Sequence, residues 1–308
     1  MLKVTPVKGL AMKSITKPVA NTLKDGNMPS HQDEGFLGIH AGEQPNLFES
    51  TTYDFHMENQ SFLKIATYNI HKGFSHFNQR HVLHELRNLL HEMHADLVFL
   101  QEVLGEHSLH AERFEDWPEG PQYEFLAEDI WPDYAYGKNA VYPDGHHGNA
   151  ILSRYPILMW ENEDVSAHRF EQRGLLHCVI SVPGWNTPLH AVCAHLGLFS
   201  RGRRRQLDAL RERIERLVPD DAPLIVAGDF NDWRCEAGKA LAEPLHLIEC
   251  FESSYGHPAR SYPSNFPLFR LDRIYIRGFQ IQTAYVLGGN PWSMLSDHAP
   301  LFAALSHT

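Results

Sequence analysis

Residues 223–232 read PLIVAGDFND, and this stretch sets the reading of the whole chain. Leu224 to Ala227 is an unbroken apolar run of strand length, bounded by a proline and a glycine, as expected of a strand covered on both faces. Polarity then switches abruptly, with Asp229, Asn231 and Asp232 directly after Gly228. The pattern recurs outward in both directions. FLKIATYNI (62–70) carries Asn69 near its end, DLVFLQE (96–102) ends on Gln101-Glu102, and PLHAVCAHL (188–196) carries His195. LDRIYI (271–276) opens with Asp272, and Ser296-Asp297-His298 precede APLFAAL (299–305). One acidic residue at a strand end is commonly a cap or turn residue. A set of strand-end Asn, Glu, His, Asp and Asp-His is harder to explain that way, because strand ends are rigid platforms that converge in space.

Helical periods fill the intervals. Val82, Leu86, Leu89, Leu90 and Met93 predict a helix over 80–94, and Leu207, Leu210, Ile214 and Leu217 predict one over 203–217. YEFLAEDI (123–130) reads as a further helix, and NAILSRYPILMW (149–160) as two strands broken near Pro156. LLHCVISV (175–182) and PLHAVCAHL read as an antiparallel pair around PGWN (183–186). Mixed strands with helices between them predict an α/β fold of sheets packed face to face and covered by helices. This domain is expected over 61–308. Residues 1–60 show scattered Lys, Pro and Gly and no sustained period, with five lysines before Asp25. They read as a disordered or loosely packed extension.

Apolar residues make up 43% of the 308 and charged residues 21%, enough for a sizeable core. The net charge of −11 argues against a protein that grips duplex nucleic acid through a broad basic face. The four cysteines (178, 193, 235 and 250) form no C-x-x-C pair, so a zinc ribbon is not expected. No apolar run approaches the roughly 18 residues of a membrane span, and a reduced cytoplasmic location is expected.

The residue types fit one chemistry. Carboxylates and an amide oxygen are hard ligands suited to Mg2+ or Mn2+, with Glu102 and Asp297 as ligands and Asn69 nearby. Such an ion polarises a phosphoryl oxygen. Asp229 then reads as the base for an attacking water, and Asn231 as a donor to a phosphate oxygen. His195 and His298 can donate to phosphate or to the leaving oxygen, with Asp272 orienting His298.

The clusters TYNIH, LQE, GNAILSRYP, HLGL, GDFND, LDRIY and SDHAP, in this order, resemble the endonuclease/exonuclease/phosphatase superfamily, DNase I-like nucleases among them. Within it, YNIHKG and YPDGHHGNAILSRYP resemble a group of small bacterial hydrolases. The resemblance covers about Phe62 to the C-terminus. It implies a four-layered α/β sandwich with its site at one edge of the two sheets. It implies metal binding at Glu102 and Asp297 with Asn69 in support, water activation at Asp229, transition-state contact at Asn231, a His298–Asp272 pair, and a phosphate or acid role for His195. Two positions depart from the pattern. His71 stands where abasic-site endonucleases carry an acidic residue, and Arg273 stands where many members carry an aromatic one.

Other signals have two readings. Arg201, Arg203, Arg204 and Arg205 open a helix and can fork onto phosphate, Arg204 in particular, or form a solvated face. Arg173 and Asn149 are candidate substrate contacts, against a surface ion pair and a plain turn; His146 and His147 precede Asn149 in the same loop. His81, His84, His91 and His94 are expected on an exposed helix face. Cys178 and Cys193 would face each other if the hairpin turned at Trp185-Asn186, although two free thiols are expected. The functional expectation is a metal-dependent phosphodiesterase on a small or phospholipid substrate. A nuclease on nucleic acid and a silent binding protein on the same scaffold are the alternatives.

Overall fold

The computed structural model describes residues 62–75, 80–168 and 171–308, so the expected extension over 1–60 lies outside the described residues. Twelve strands form two six-stranded sheets. The first holds β1 (Leu63–Asn69), β2 (Leu97–His107), β3 (Asp133–Tyr142), β4 (Gly145–Ser153), β11 (Phe279–Val286) and β12 (Leu301–His307), in the order β11-β12-β1-β2-β4-β3. The second holds β5 (Ile157–Asp164), β6 (Gly174–Ile180), β7 (Leu189–His195), β8 (Leu224–Asp229), β9 (Ile248–Glu249) and β10 (Asp272–Arg277), in the order β5-β6-β7-β8-β10-β9.

Each sheet contains one parallel pair, and each pair needs a helical crossover. In the first sheet α1 (Leu83–Glu92) connects β1 to β2; in the second α4 (Ser200–Leu217) connects β7 to β8. The parallel registers end with Asn69 beside Gln101 and His195 beside Asp229. The carboxyl ends of both pairs therefore carry the polar clusters, where crevices in α/β sheets form. Gly228 permits the second pair. Its φ is 146°, and a Cβ there would lie 1.9 Å from the Ala194 carbonyl oxygen of β7.

Three apolar layers make the sandwich four-deep. Ile65, Phe99, Ile151, Cys193, Ile225 and Leu301 belong to the layer between the sheets. Leu83, Leu86 and Leu90 of α1 cover the outer face of the first sheet, joined by Leu126 of α3 (Gln122–Ala127). Leu207, Leu210 and Ile214 of α4 cover the second. Each such aliphatic side chain contributes roughly 1.5–3 kcal/mol on burial. The remaining helices, α2 (Ser108–Arg113) and α5 (Cys250–Tyr255), are single-turn connectors.

Four expectations are corrected. The first helix begins at Leu83, so His81 stands outside it; that ring is buried, hydrogen-bonded to Asp116 at 3.1 Å and stacked on Trp117. Leu217 is the last residue of α4 and is exposed. The helix read over 123–130 ends at Ala127. The β6–β7 hairpin pairs Cys178 with Ala191 and Cys193 with Leu176, so its turn centres between Gly184 and Trp185. A one-residue displacement of a turn moves the register by two and separates the cysteines. All four cysteines are free thiols.

Candidate active site

At the site the two sheets are joined by a hydrogen bond between side chains 160 residues apart: Asn69 Nδ2 donates to Asp229 Oδ2 at 3.2 Å. Asp229 lies at the end of β8, almost wholly buried, and its Oδ1 accepts the backbone N–H of Asn231 at 2.9 Å. Burial pushes its carboxyl up to about 6, against the opposing charge of His298. Two imidazoles face the same oxygen, His195 Nε2 at 3.5 Å and His298 Nε2 at 3.8 Å.

These imidazoles differ in state. Burial and the nearby Arg173 charge hold His195 well below the usual range, so it is neutral. His298 is just as buried, but Asp272 and Asp229 overcome that and raise it to about 10, so it is an imidazolium at neutral pH. Its Nδ1–H donates to Asp272 Oδ2 at 2.8 Å, and Ser261 Oγ donates to the same oxygen. The register explains the alignment, because Asp272 is the cross-strand partner of Asp229. Ser296 Oγ donates to the Asn69 carbonyl at 2.7 Å and fixes the approach to Asp297-His298 against β1.

Glu102 and Asp297 occupy a wetter part of the same edge, each side chain about a fifth exposed. Lys72 Nζ stands 3.4 Å from Glu102, and His71 Nδ1 stands 3.4 Å from Asp297. Burial pushes Glu102 up, but its surroundings, the Lys72 charge foremost, outweigh it and hold the carboxyl at about 2. Left-handed backbone recurs here, at His71 (φ 46°), Lys72 (φ 60°), Glu102 (φ 56°) and Asn231 (φ 49°). Non-glycine residues in that region are sparsely populated and cluster at functional sites. Glu102 also lies where the β2–β4 register shifts, between Leu100 and Val103, which turns its side chain out of the sheet alternation.

Two donor sets can be weighed for a metal ion. Asp229, Asp272 and His298 each place one ligand atom within 4.8 Å of the others, a spacing that suits a cation. Asp272 Oδ1 has no hydrogen-bond partner, but Asp229 Oδ1, Asp229 Oδ2 and Asp272 Oδ2 each already accept, and His298 ligates only once its proton is lost. Glu102 and Asp297 are held by contacts of 3.4 Å to Lys72, His71 and Ser296, longer than a good hydrogen bond, so two hard oxygen donors stay available beside Asn69 Oδ1, which accepts the His71 N–H at 3.1 Å.

The other sequence candidates lie at the margin. Arg173 Nε donates to the Leu196 carbonyl at 3.2 Å and its charge reaches His195. Asn149 is buried and spends its amide N–H groups on the carbonyls of Gly174 at 2.9 Å and Cys193 at 3.4 Å, bracing β4 against the second sheet. Asn231 Nδ2 donates to the Leu196 carbonyl at 2.9 Å. Arg204 is exposed and reaches Glu236 at 3.3 Å, with no contact to the cluster. Lys72 and Ser261 are not singled out by sequence beyond the YNIHKG run that contains Lys72, and Ser296 is marked only as part of the Ser296-Asp297-His298 cluster, without a role. A hollow of about 290 Å³ beside the site is lined by His147, Arg173, Leu198 and Phe199 among others. A cavity of about 930 Å³ around Trp117, Phe125 and Trp131 contains none of these side chains.

Comparison with known proteins agrees with this fold. YbhP of Escherichia coli K12 is 49% identical over 246 residues, covering 80% of this chain and 97% of that protein. The endonuclease/exonuclease/phosphatase of Beutenbergia cavernae superposes with a TM-score of 0.64 at 20% identity, over 80% of this chain and 72% of that one. The mannosyl-6-phosphatase Bt3783 of Bacteroides thetaiotaomicron gives 0.60 at 17%, over 79% and 99%. Danio rerio TDP2, complexed with single strand DNA product, gives 0.60 at 19%, over 80% and 100%. These likenesses are to the fold. The model of the Endonuclease/Exonuclease/phosphatase family matches residues 66–298, from inside β1 to the imidazole that faces Asp229, and by that match the chain belongs to this family of phosphoester hydrolases.

Proposed function

We propose that the chain is a divalent-metal-dependent phosphodiesterase for a small or lipid-linked phosphate ester. The observation that carries this reading is the meeting of two buried imidazoles, His195 and His298, at one buried carboxylate oxygen, Asp229 Oδ2. When bound, Mg2+ or Mn2+ supplies polarisation of a phosphoryl oxygen, and Glu102 and Asp297 would hold it with Asn69 alongside. Asp229 takes the proton of the attacking water; a carboxyl near 6 is mostly ionised at pH 7 yet more basic than an ordinary carboxylate. His298 presents its Nε2–H to a phosphoryl oxygen, and Asp272 keeps it charged and aimed. His195 faces Asp229 Oδ2 and passes the water's proton on to the leaving oxygen as the bond from phosphorus to that oxygen breaks. Asn231 positions Asp229 through its backbone N–H and has one amide hydrogen left for the substrate. Arg173 supplies positive charge at the rim. The acidic total of −11 favours a small or lipid-linked substrate over a duplex.

The test is hydrolysis of bis-p-nitrophenyl phosphate, its monoester, plasmid DNA and a phospholipid headgroup panel with Mg2+, Mn2+ or EDTA. Diester cleavage that vanishes in EDTA is expected. Inactivity towards every phosphoester with either metal rejects the reading. Plasmid nicking at low enzyme concentration without headgroup cleavage replaces it with a nuclease.

A further inference from the structure

Two buried arginines do work that the catalytic site does not account for. Arg203 is fully buried in the first turn of α4, and its guanidinium donates to the carbonyls of Gly197 at 3.3 Å and Leu198 at 2.9 Å. The same group faces Asp232 at 3.7 Å and Glu236 at 3.4 Å. Arg273 is equally buried, and donates to the carbonyls of Arg270 at 2.7 Å and Asp232 at 3.0 Å. Together they brace three loops: the one after β7, the one after β8 and the one before β10. These are the loops that follow His195 and Asp229 and precede Asp272.

The third loop is also tied to the catalytic edge. Its backbone closes on itself through Phe269 N–H to the Tyr262 carbonyl at 2.7 Å and Leu268 N–H to the same carbonyl at 2.8 Å. Ser264 N–H donates to the Asp297 carbonyl at 2.8 Å, and the Tyr262 ring packs on His298 with centroids 5.0 Å apart.

From these braced loops Leu198, Phe199, Trp233, Phe266, Leu268 and Phe269 project outward, with exposures from 47% at Phe269 to 71% at Phe199. Large apolar side chains fixed in water by ordered backbone mark an interaction surface. The charge around them is segregated. Residues 196–207 and 256–271 contain six arginines and no acidic residue, in a chain of net charge −11. Arg201, Arg205, Arg234 and Arg260 are exposed. Arg234 lies over the Trp233 ring at 4.6 Å. Cationic heads around a rim of aromatic and aliphatic side chains match the headgroup level of an anionic bilayer. Exposed leucines favour that partner over nucleic acid, whose bases stack on aromatic faces.

We infer that these three loops form a rigid lip that seats the catalytic edge on an anionic phospholipid surface, so that the enzyme meets its phosphoester at the membrane interface. The substrate side of this inference rests on the phosphodiesterase reading; the surface side does not.

The test is flotation of the full chain with vesicles of phosphatidylcholine, with and without phosphatidylglycerol. Binding to the phosphatidylglycerol vesicles that weakens with salt is expected. Trp233→Ser, Phe266→Ser and Leu268→Ser combined should weaken it by about tenfold or more. Arg201→Glu with Arg205→Glu should weaken it selectively for the anionic vesicles. A circular dichroism spectrum and melting temperature like the wild type's establish that the variants fold. No flotation, or flotation unchanged in the folded triple variant, overturns the inference. Absent flotation together with oligo-dT binding that the triple variant loses makes the lip a nucleic-acid surface instead. Hydrolysis of bis-p-nitrophenyl phosphate by the same wild-type preparation separates the two claims. Hydrolysis without flotation removes the lip and leaves the phosphodiesterase, and flotation without hydrolysis does the reverse.

Discussion

The two halves of the candidate site solve opposite electrostatic problems. Asp229, Asp272, His195 and His298 are almost wholly buried; Asp272 is hydrogen-bonded to His298, Asp229 to the Asn231 backbone, and His195 faces Asp229 at 3.5 Å. Glu102 and Asp297 are partly wet and face only the looser charges of Lys72 and His71. A buried network holds protons at fixed places, because rearranging it leaves an unpaired charge in a low dielectric. A partly exposed carboxylate pair whose cationic neighbours stand 3.4 Å away can exchange those neighbours for a stronger cation. Under the proposed function, proton handling falls to one half and metal capture to the other, and each variant below bears on that division.

The largest effect is expected at Asp229. Asp229→Asn keeps the shape and the Asn231 contact but removes the base, and should lower kcat by about a thousandfold at every Mg2+ concentration. Activity restored by excess metal would merge the two halves into one ligand set. Glu102→Gln should act through the metal. Losing one charge-assisted contact of about 1.5–3 kcal/mol raises the Mg2+ concentration for half-maximal activity by about ten- to a hundredfold, with kcat recovered at saturation. A kcat defect that no metal concentration repairs would move Glu102 to the proton half. The smallest effect is expected for Lys72→Met. A half-exposed ion pair is worth about 0.2–1 kcal/mol, so its removal should lower the Mg2+ requirement by no more than about fivefold. A raised requirement would show that Lys72 contacts substrate and does not compete with the ion.

Much of this division was legible in the chain. Asn69, Glu102, His195, Asp229, Asp272 and His298 all stand where an apolar run meets polar residues, and a strand end is one of the few places where sequence position fixes spatial position. Side-chain direction was not legible. Asn149 shares a motif with the site, yet its amide spans the gap to the second sheet, because a buried amide must satisfy its donors wherever carbonyls lie. Ser261 lies across a loop from Asp272, and nothing in its neighbourhood announces the bond. β3 passed unread because its alternation is broken by Gly137 and Lys138, and its pairing with β4 settles the matter. The Cys178–Cys193 geometry failed on a single residue of turn, the kind of offset that a PGWN run does not specify. Arg273, an apparent oddity in LDRIY, is explained by the loop carbonyls it gathers.

The bond between Asn69 and Asp229 has a consequence in time. His298 immediately precedes β12, which enters the first sheet between β11 and β1, so the proton-handling half lacks its charged imidazole until the final strand has docked. Asn69, near the start of the domain, lacks its partner for just as long as the second sheet is incomplete. Partly folded chains therefore hold fragments of the chemistry that no single sheet can use. A ribosome-bound or misassembled copy would be silent towards phosphoesters in its surroundings, and catalytic competence would report that the whole sandwich has closed.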